Sequence, residues 1–288
     1  MPACLLLYME KIALVFDFDD TLAPDSTSSL LESLGVDVMD FWKNKVNTLL
    51  VQDWDPIPAY LYMMIEESNS GRIAPITREK IEEFGRNITF NKGVPTIFKR
   101  LKDYLAENYE NIDLEFYLIS SGIGDLLKQT KIAKNFNDIW ACDFIYDQDS
   151  QIRFPKKIVS FTDKTRYLFH IAKGLVGEKY RGKPFEVNKK IEAGKLHVRM
   201  DRMIFVGDGY TDIPCFSLIM KNGGYAFGVY DKEHREKWGR AWGFIDDRRV
   251  SNLHSANFSN NSDLSNSLLM ALDSIAKRIE LGNSVYQG

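Results

Sequence analysis

Two clusters of carboxylates stand where short apolar runs stop. Asp17-Phe18-Asp19-Asp20-Thr21 follows Ile12-Ala13-Leu14-Val15-Phe16, and Gly207-Asp208-Gly209-Tyr210-Thr211-Asp212 follows Met203-Ile204-Phe205-Val206. Carboxylates gathered at one spot repel unless a cation neutralises them, and hard oxygen ligands favour Mg2+. A cation held this way can carry one oxygen of a phosphate, which brings the phosphorus within reach of a carboxylate nucleophile. The charge left over calls for a hydroxyl, backbone N–H groups and a cationic side chain. Ser120-Ser121-Gly122, at the end of another apolar run, and Lys164, at the start of an amphipathic segment, meet those needs. Each feature alone is an ordinary turn or surface residue; their joint occurrence, in order, points to phosphoryl chemistry.

The elements that must position these residues follow from hydrophobic pattern. A short, continuous apolar run suits a strand buried on both faces of a parallel sheet. Residues 12–16, 114–119, 141–146, 203–206 and 225–230 read this way. Between them lie amphipathic segments. Residues 93–107 place Val94, Ile97, Phe98, Leu101 and Leu105 on one helical face. Residues 163–173 form another helix, with Thr162 as N-cap and Gly174 just past the end. The alternation predicts an α/β fold: a Rossmann-like parallel sheet with helices on both faces. In such sheets ligands sit beyond the carboxyl ends of the strands, where both acidic clusters and the Ser120 segment fall.

Residues 25–91 are different. They offer helix-like segments at 28–34, 38–50, 59–67 and 78–84, punctuated by Gly35, Pro56, Pro58, Gly71, Pro75 and Gly85, and no buried strand. This predicts a small helical insertion at 25–91 after the first strand, on a core made of 1–24 and 92–288. Residues 174–200, rich in Lys, Gly and Glu, predict an extended connection with some helix. The Ser- and Asn-rich stretch 252–266 reads as loop, leading to a terminal amphipathic helix at 268–279 that packs back on the core.

Composition narrows the partners. With 288 residues, 44% hydrophobic and 27% charged, the chain has the make-up of an ordinary globular protein. A net charge of −3 with scattered Lys and Arg argues against a non-specific nucleic-acid binder, which would need a concentrated basic face, but not against one lysine on one phosphate. Cys4, Cys142 and Cys215 are odd in number and show no metal-type spacing, which suits a reducing, cytoplasmic setting. The apolar start from Ala3 to Met9 lacks a basic leader, and no stretch is apolar and long enough to span a membrane.

Taken together, these motifs resemble those of the haloacid-dehalogenase-superfamily phosphatases. Asp17-Phe18-Asp19-Asp20-Thr21 resembles the family's first motif, DxDxT; Ser120 in Leu118-Ile119-Ser120-Ser121-Gly122 resembles the second. Lys164 resembles the third, with Lys156 and Lys157 as rivals, and Gly207-Asp208-Gly209-Tyr210-Thr211-Asp212 resembles the fourth, GDGxxD. The resemblance implies that Asp17 attacks phosphorus to form an aspartyl-phosphate. It implies that Asp19 protonates the leaving alcohol and then deprotonates the hydrolytic water. Ser120, Ser121, Gly122 and Lys164 would bind phosphate. Mg2+ would be bound by the Asp17 carboxylate, the Asp19 backbone carbonyl and Asp208, with Asp212 as ligand or orienting group. Asp20 falls at the motif's variable position, and Thr21 would stabilise the loop.

The family's dehalogenases lack an acid/base two residues past the nucleophile, so Asp19 argues against dehalogenation. The helical insertion resembles the C1-type cap of the phosphoserine-phosphatase-like branch, implying a lid over a small phosphorylated metabolite. Two departures argue against phosphoserine itself. Ala23-Pro24-Asp25-Ser26-Thr27-Ser28 has no glutamate for a substrate amine, and Tyr210-Thr211-Asp212 lacks the usual Asn.

Two other functions fit parts of the pattern. A phosphotransferase or phosphomutase begins with the same attack by Asp17 and differs only in the acceptor. A non-catalytic binding module would have shed Asp17, Asp19 or Asp208, and all three remain. Gly177-Glu178-Lys179-Tyr180-Arg181-Gly182-Lys183-Pro184 nearly matches a phosphate-binding P-loop, but Pro184 stands where Ser or Thr is needed and no strand precedes it. Gly122-Ile123-Gly124 lacks the third glycine of a dinucleotide site. His170, His197, His234 and His254 show no ligand spacing.

Overall fold

Five apolar residues in a row belong between two layers, and residues 12–16 of β1 (Glu10–Phe16) are fully buried in the computed structural model. The structure describes residues 9–232, 243 and 246–285; residues 3–8 of the apolar start, with Cys4, and His234 lie outside the described residues. Beside β1 the sheet holds β2 (Ile112–Ile123), β3 (Asp138–Tyr146), β4 (Ile152–Lys157), β5 (Met203–Gly207), β6 (Tyr225–Tyr230) and β7 (Asn252–Ser255). The strand order is β4-β3-β2-β1-β5-β6-β7, and only the β3–β4 pair is antiparallel. β1 is therefore central, with Phe16 opposite Leu118 of β2 and Val206 of β5.

Between β1 and β2 the chain is helical: α1 (Ser26–Ser33), α2 (Val38–Asp40), a π-helical stretch (Phe41–Val46), α3 (Asn47–Val51), α4 (Pro56–Asn69) and α5 (Arg78–Asn87). The remaining helices are α6 (Val94–Asn108), α7 (Gly124–Lys128), α8 (Phe161–Lys173), α9 (Ile213–Lys221) and α10 (Asp263–Val285). Adjacent strand residues point to opposite faces, and Phe116 and Tyr117 show which helices cover each. Phe116 meets Phe98 of α6 edge-on at 5.1 Å, and α10 packs on α6. Tyr117 stacks on Trp140, which stacks on Tyr167 of α8, with α9 alongside α8. The sheet is thus covered on both sides, as the alternating pattern predicts.

Several local expectations change. Ser120-Ser121-Gly122 is a bulged continuation of β2 rather than a turn, with the register on β3 shifting between Ile119 and Ile123. The cap of α8 is Ser160, in a capping box with Asp163, so the helix starts two residues earlier than a Thr162 cap would allow. Two strands were not legible. β4 is an edge strand with one buried residue, Ile152, too little apolar pattern to show, and β7 is a four-residue strand inside the stretch read as loop. β3 begins at Asp138, three residues before its apolar run, because Asp138, Ile139 and Trp140 already pair with β2. Residues 174–200 hold only short 3-10 turns, as the connection predicts.

Candidate active site

Asp17 is the first residue past β1, and its N–H donates to Val206 O of β5 at 2.9 Å. That bond ties the acidic ends of two neighbouring strands together. One carboxylate oxygen each from Asp17, Asp208 and Asp212 lies within 4.8 Å of the others, while Asp19's carboxylate is not among the three. Opposite oxygens around Mg2+ stand about 4.2 Å apart, given Mg–O distances of about 2.1 Å, so this span fits a hard cation.

Lys164 faces the same group. Its side chain is fully buried, with Nζ 2.7 Å from Asp212 Oδ1 and 3.1 Å from Asp17 Oδ1. Lys164, one turn into α8, is the lysine at these carboxylates. Lys156 and Lys157 line a separate cavity that touches none of them. The second Asp212 oxygen accepts the Gly209 N–H at 3.0 Å. Asp212 can lie this close to β5 only because position 207 is glycine: a Cβ there would stand 2.4 Å from Asp212 Oδ2.

Burial, reinforced by the charge of Asp212, pushes the Asp17 carboxyl up to about 7, against the pull of Lys164 and the Phe18 N–H. A buried carboxylate beside others resists ionisation until a positive charge arrives. Burial and the charges of Asp25 and Asp17 likewise push Asp19 up to about 8, against its bond from Ser26. The protonated form is the one a proton donor needs.

Ser120 is fully buried, and its Oγ accepts the Gly122 N–H at 2.9 Å, which leaves the hydroxyl proton free to donate. Ser121 Oγ is buried without a hydrogen-bond partner. Asp20 takes a left-handed backbone, φ 54°, which Asp tolerates better than most residues. The loop after Asp17 is held by backbone rather than by the Thr21 hydroxyl, which is buried and unpartnered. Leu22 N–H donates to Phe18 O at 2.8 Å, and Asn91 Nδ2 donates to Thr21 O at 2.8 Å.

Four contributors escaped sequence reasoning. Ser26 N–H donates to Asp19 Oδ1 at 2.8 Å and aims that carboxylate; a backbone donor has no side-chain signature. Asp25 caps α1 through the Ser28 N–H at 3.0 Å, and the Asp-x-x-Ser spacing was its available signal. Tyr60 of α4 donates its hydroxyl to Ser121 O, joining the helical segment to the bulge. Asn91 closes the segment back onto the loop that follows Asp17.

Residues 14–217 match the family of haloacid dehalogenase-like hydrolases, and the chain belongs to that family. An uncharacterized protein of Borreliella burgdorferi is 24% identical over 283 residues, covering 88% of this chain and 94% of that protein. Among solved structures, a haloacid-dehalogenase-family hydrolase from Salmonella enterica serovar Typhi aligns at TM-score 0.53 and 14% identity, over 78% of this chain. This chain spans 64% of that protein's length. A phosphoserine phosphatase solved with a phospho-aspartyl intermediate analogue aligns at TM-score 0.53 and 15% identity, over 90% of this chain and 98% of that one. At these identities the structural likeness is one of fold.

Proposed function

We propose that this hydrolase is a Mg2+-dependent phosphatase that cleaves a small phosphomonoester through an aspartyl-phosphate on Asp17. The observation behind this reading is the pairing of Lys164 with both Asp17 and Asp212, at 3.1 and 2.7 Å, beside a three-carboxylate cluster. A buried lysine there balances only part of the negative charge, and the span of the cluster suits a hard cation. Asp17, Asp208 and Asp212, with the Asp19 backbone carbonyl, would hold Mg2+, which when bound withdraws charge from the phosphoryl oxygens.

The chain's own residues then divide the work. Asp17 attacks phosphorus, and the bond to the leaving oxygen breaks as Asp19 delivers a proton to it. Lys164, the Ser120 and Ser121 hydroxyls and the Gly122 backbone take the charge on the phosphoryl oxygens. Asp19, now ionised, removes a proton from the water that attacks the aspartyl-phosphate. Inorganic phosphate leaves and Asp17 is restored.

Residues 25–91 act in this reading as a cap on the core of 1–24 and 92–288, excluding bulk water while the acyl phosphate exists. The phosphoserine phosphatase trapped with a phospho-aspartyl analogue lends the intermediate support by analogy of fold. We place the enzyme in the cytoplasm, in keeping with the buried free thiols of Cys142 and Cys215. Among the described residues no helix is long and apolar enough to cross a membrane.

The test is a phosphate-release screen over small phosphomonoesters with Mg2+, with Asp17→Asn as the blank. Release that requires Mg2+ and vanishes in the variant is expected. Turnover near wild type in Asp17→Asn would sink the mechanism.

A further inference from the structure

A cavity of about 570 Å3 lies between β3, the end of β4, α8 and residues 175–184, and none of the eight residues of the candidate active site lines it. Six cationic side chains do: Lys128, Lys156, Lys157, Arg166, Arg181 and Lys183, against two carboxylates, Asp143 and Glu178. Local charge therefore runs opposite to the chain's net −3.

Some of these cations are compensated. Lys128 pairs with Asp143 at 3.0 Å, Arg166 reaches Asp163 at 3.6 Å, and Arg181 binds Asp138 and Glu178. Lys156, Lys157 and Lys183 have no carboxylate within 4.0 Å among the described residues. Lys157 and Arg166 instead sit 5.2 and 4.9 Å from the same Tyr167 ring. Burial, with the charges of Arg181 and Lys128 and against that of Asp143, pushes the Lys157 ammonium down to about 8. Like charges gathered over an apolar floor are what an anion relieves, and low-dielectric walls concentrate their field.

The surroundings hold these cations in place. The floor is the stacked pair Trp140 and Tyr167, 5.0 Å apart at 18° and both buried. One wall is the segment that nearly matches a P-loop, anchored by Asp138, whose carboxylate accepts the Gly177 N–H at 2.8 Å and binds Arg181. That anchor presents Arg181 and Lys183 to the cavity from a loop with no strand before it. β4 pairs with β3 only from Asp143 onward, which leaves the start of β3 open at this edge.

We propose that this cavity binds a small anion carrying two or more phosphate groups, at a site separate from the one that performs hydrolysis. Two or more phosphates match the three uncompensated lysines together with Arg166 and Arg181, and the volume accommodates a nucleotide-sized molecule. Tyr167 lies one turn from Lys164 on α8, so an occupant drawing on Arg166 bears on the helix that carries the catalytic-site lysine.

The test is calorimetric titration of the full chain with tripolyphosphate, ATP, AMP and sulfate at physiological salt. Tripolyphosphate or ATP is expected to bind with AMP and sulfate at least tenfold weaker. A Lys157→Gln/Lys183→Gln double variant should lose at least tenfold in that affinity, while Lys157→Arg/Lys183→Arg retains it. Asp17→Asn should change it less than twofold, and both lysine variants should keep wild-type melting temperature and turnover of an aryl phosphate. ATP tighter than tripolyphosphate makes the ligand a nucleotide; equal affinities make it an oligophosphate, and both support the site. Binding lost in Asp17→Asn but kept in the Gln variant puts the anion in the active site and overturns the proposal, as does equal binding of sulfate.

Discussion

Gly122 lies so close to Asp19 that a Cβ on it would stand 2.7 Å from Asp19 Oδ2 and 3.2 Å from Ser120 Oγ. Neither neighbour is free to retreat. Asp19 Oδ1 holds the Ser26 N–H at 2.8 Å, and Ser120 Oγ accepts the Gly122 N–H at 2.9 Å. Gly122→Ala is therefore expected to shift the Asp19 carboxylate and lower kcat by about 100-fold, the scale of a 1 Å misplacement. Circular dichroism should show a native fold, with about 1–3 kcal/mol lost to overpacking. Wild-type kcat would mean that the bulge yields instead.

Replacing Asp19 separates its proposed role as acid/base from that proposed for Asp17 as nucleophile. Asp19→Asn is expected to lower kcat for alkyl phosphates by about 100- to 10,000-fold. An aryl phosphate, whose leaving group needs little protonation, should recover much of the first step. Burst kinetics then show the intermediate forming and persisting, because the hydrolytic water has lost its base. Equal losses for both substrate types would assign Asp19 elsewhere.

Lys164 neutralises buried charge whether or not a cation is present. Lys164→Met leaves Asp17 and Asp212 facing each other, a break expected to cost about 3–5 kcal/mol in the metal-free protein. Saturating Mg2+ should restore part of that by supplying the missing positive charge. Thermal melting with chelator and with Mg2+ reads the difference. The same loss in both would show that Asp17, Asp208 and Asp212 do not hold the cation.

Far from the site, Glu115 of β2 gathers Lys11 of β1, Tyr117 of β2 and His197 of the connection before β5, with Asp113 4.0 Å from Lys11. Burial alone would raise its carboxyl, but bonds from His197, Lys11 and Tyr117 overcome that and pull it from 4.5 down to about 2. A depressed carboxyl stabilises the fold fully above its unfolded value and loses that contribution as pH falls through the folded one. The shift corresponds to about 3 kcal/mol. Urea denaturation should find wild type more stable than Glu115→Gln at about pH 6, with the gap narrowing steadily below about pH 4.5. A gap unchanged down to about pH 3 would contradict the assignment.

What was legible depended on which physical signal each residue carries. The buried strands β1, β2, β5 and β6 announce themselves because both faces need apolar side chains, and Asp17, Ser120, Asp208 and Asp212 stand at or beside their ends. β4 buries one residue at a sheet edge and β7 has four residues, too little pattern to separate from loop. Lys164 could not be told from Lys156 or Lys157 by type; burial against Asp17 and Asp212 separates it from those two lysines at the end of β4. Ser26 contributes through its backbone N–H and Tyr60 through a hydroxyl that meets a backbone carbonyl, and neither contact leaves a motif in the sequence.

The place of β1 between β2 and β5 has a consequence for how the chain matures. Its last residue, Phe16, finds one neighbour at Leu118 and the other only at Val206. A chain emerging from the ribosome as far as β4 carries Asp17, Asp19 and Ser120 but neither Asp208 nor Asp212. Pairings this distant along the chain form late and slowly, because loop-closure entropy is spent before the contact is made. On the proposed mechanism the nucleophile exists early in synthesis and the carboxylates that would arm it arrive only with the strand that completes the sheet, so an unfinished chain is expected to release no phosphate.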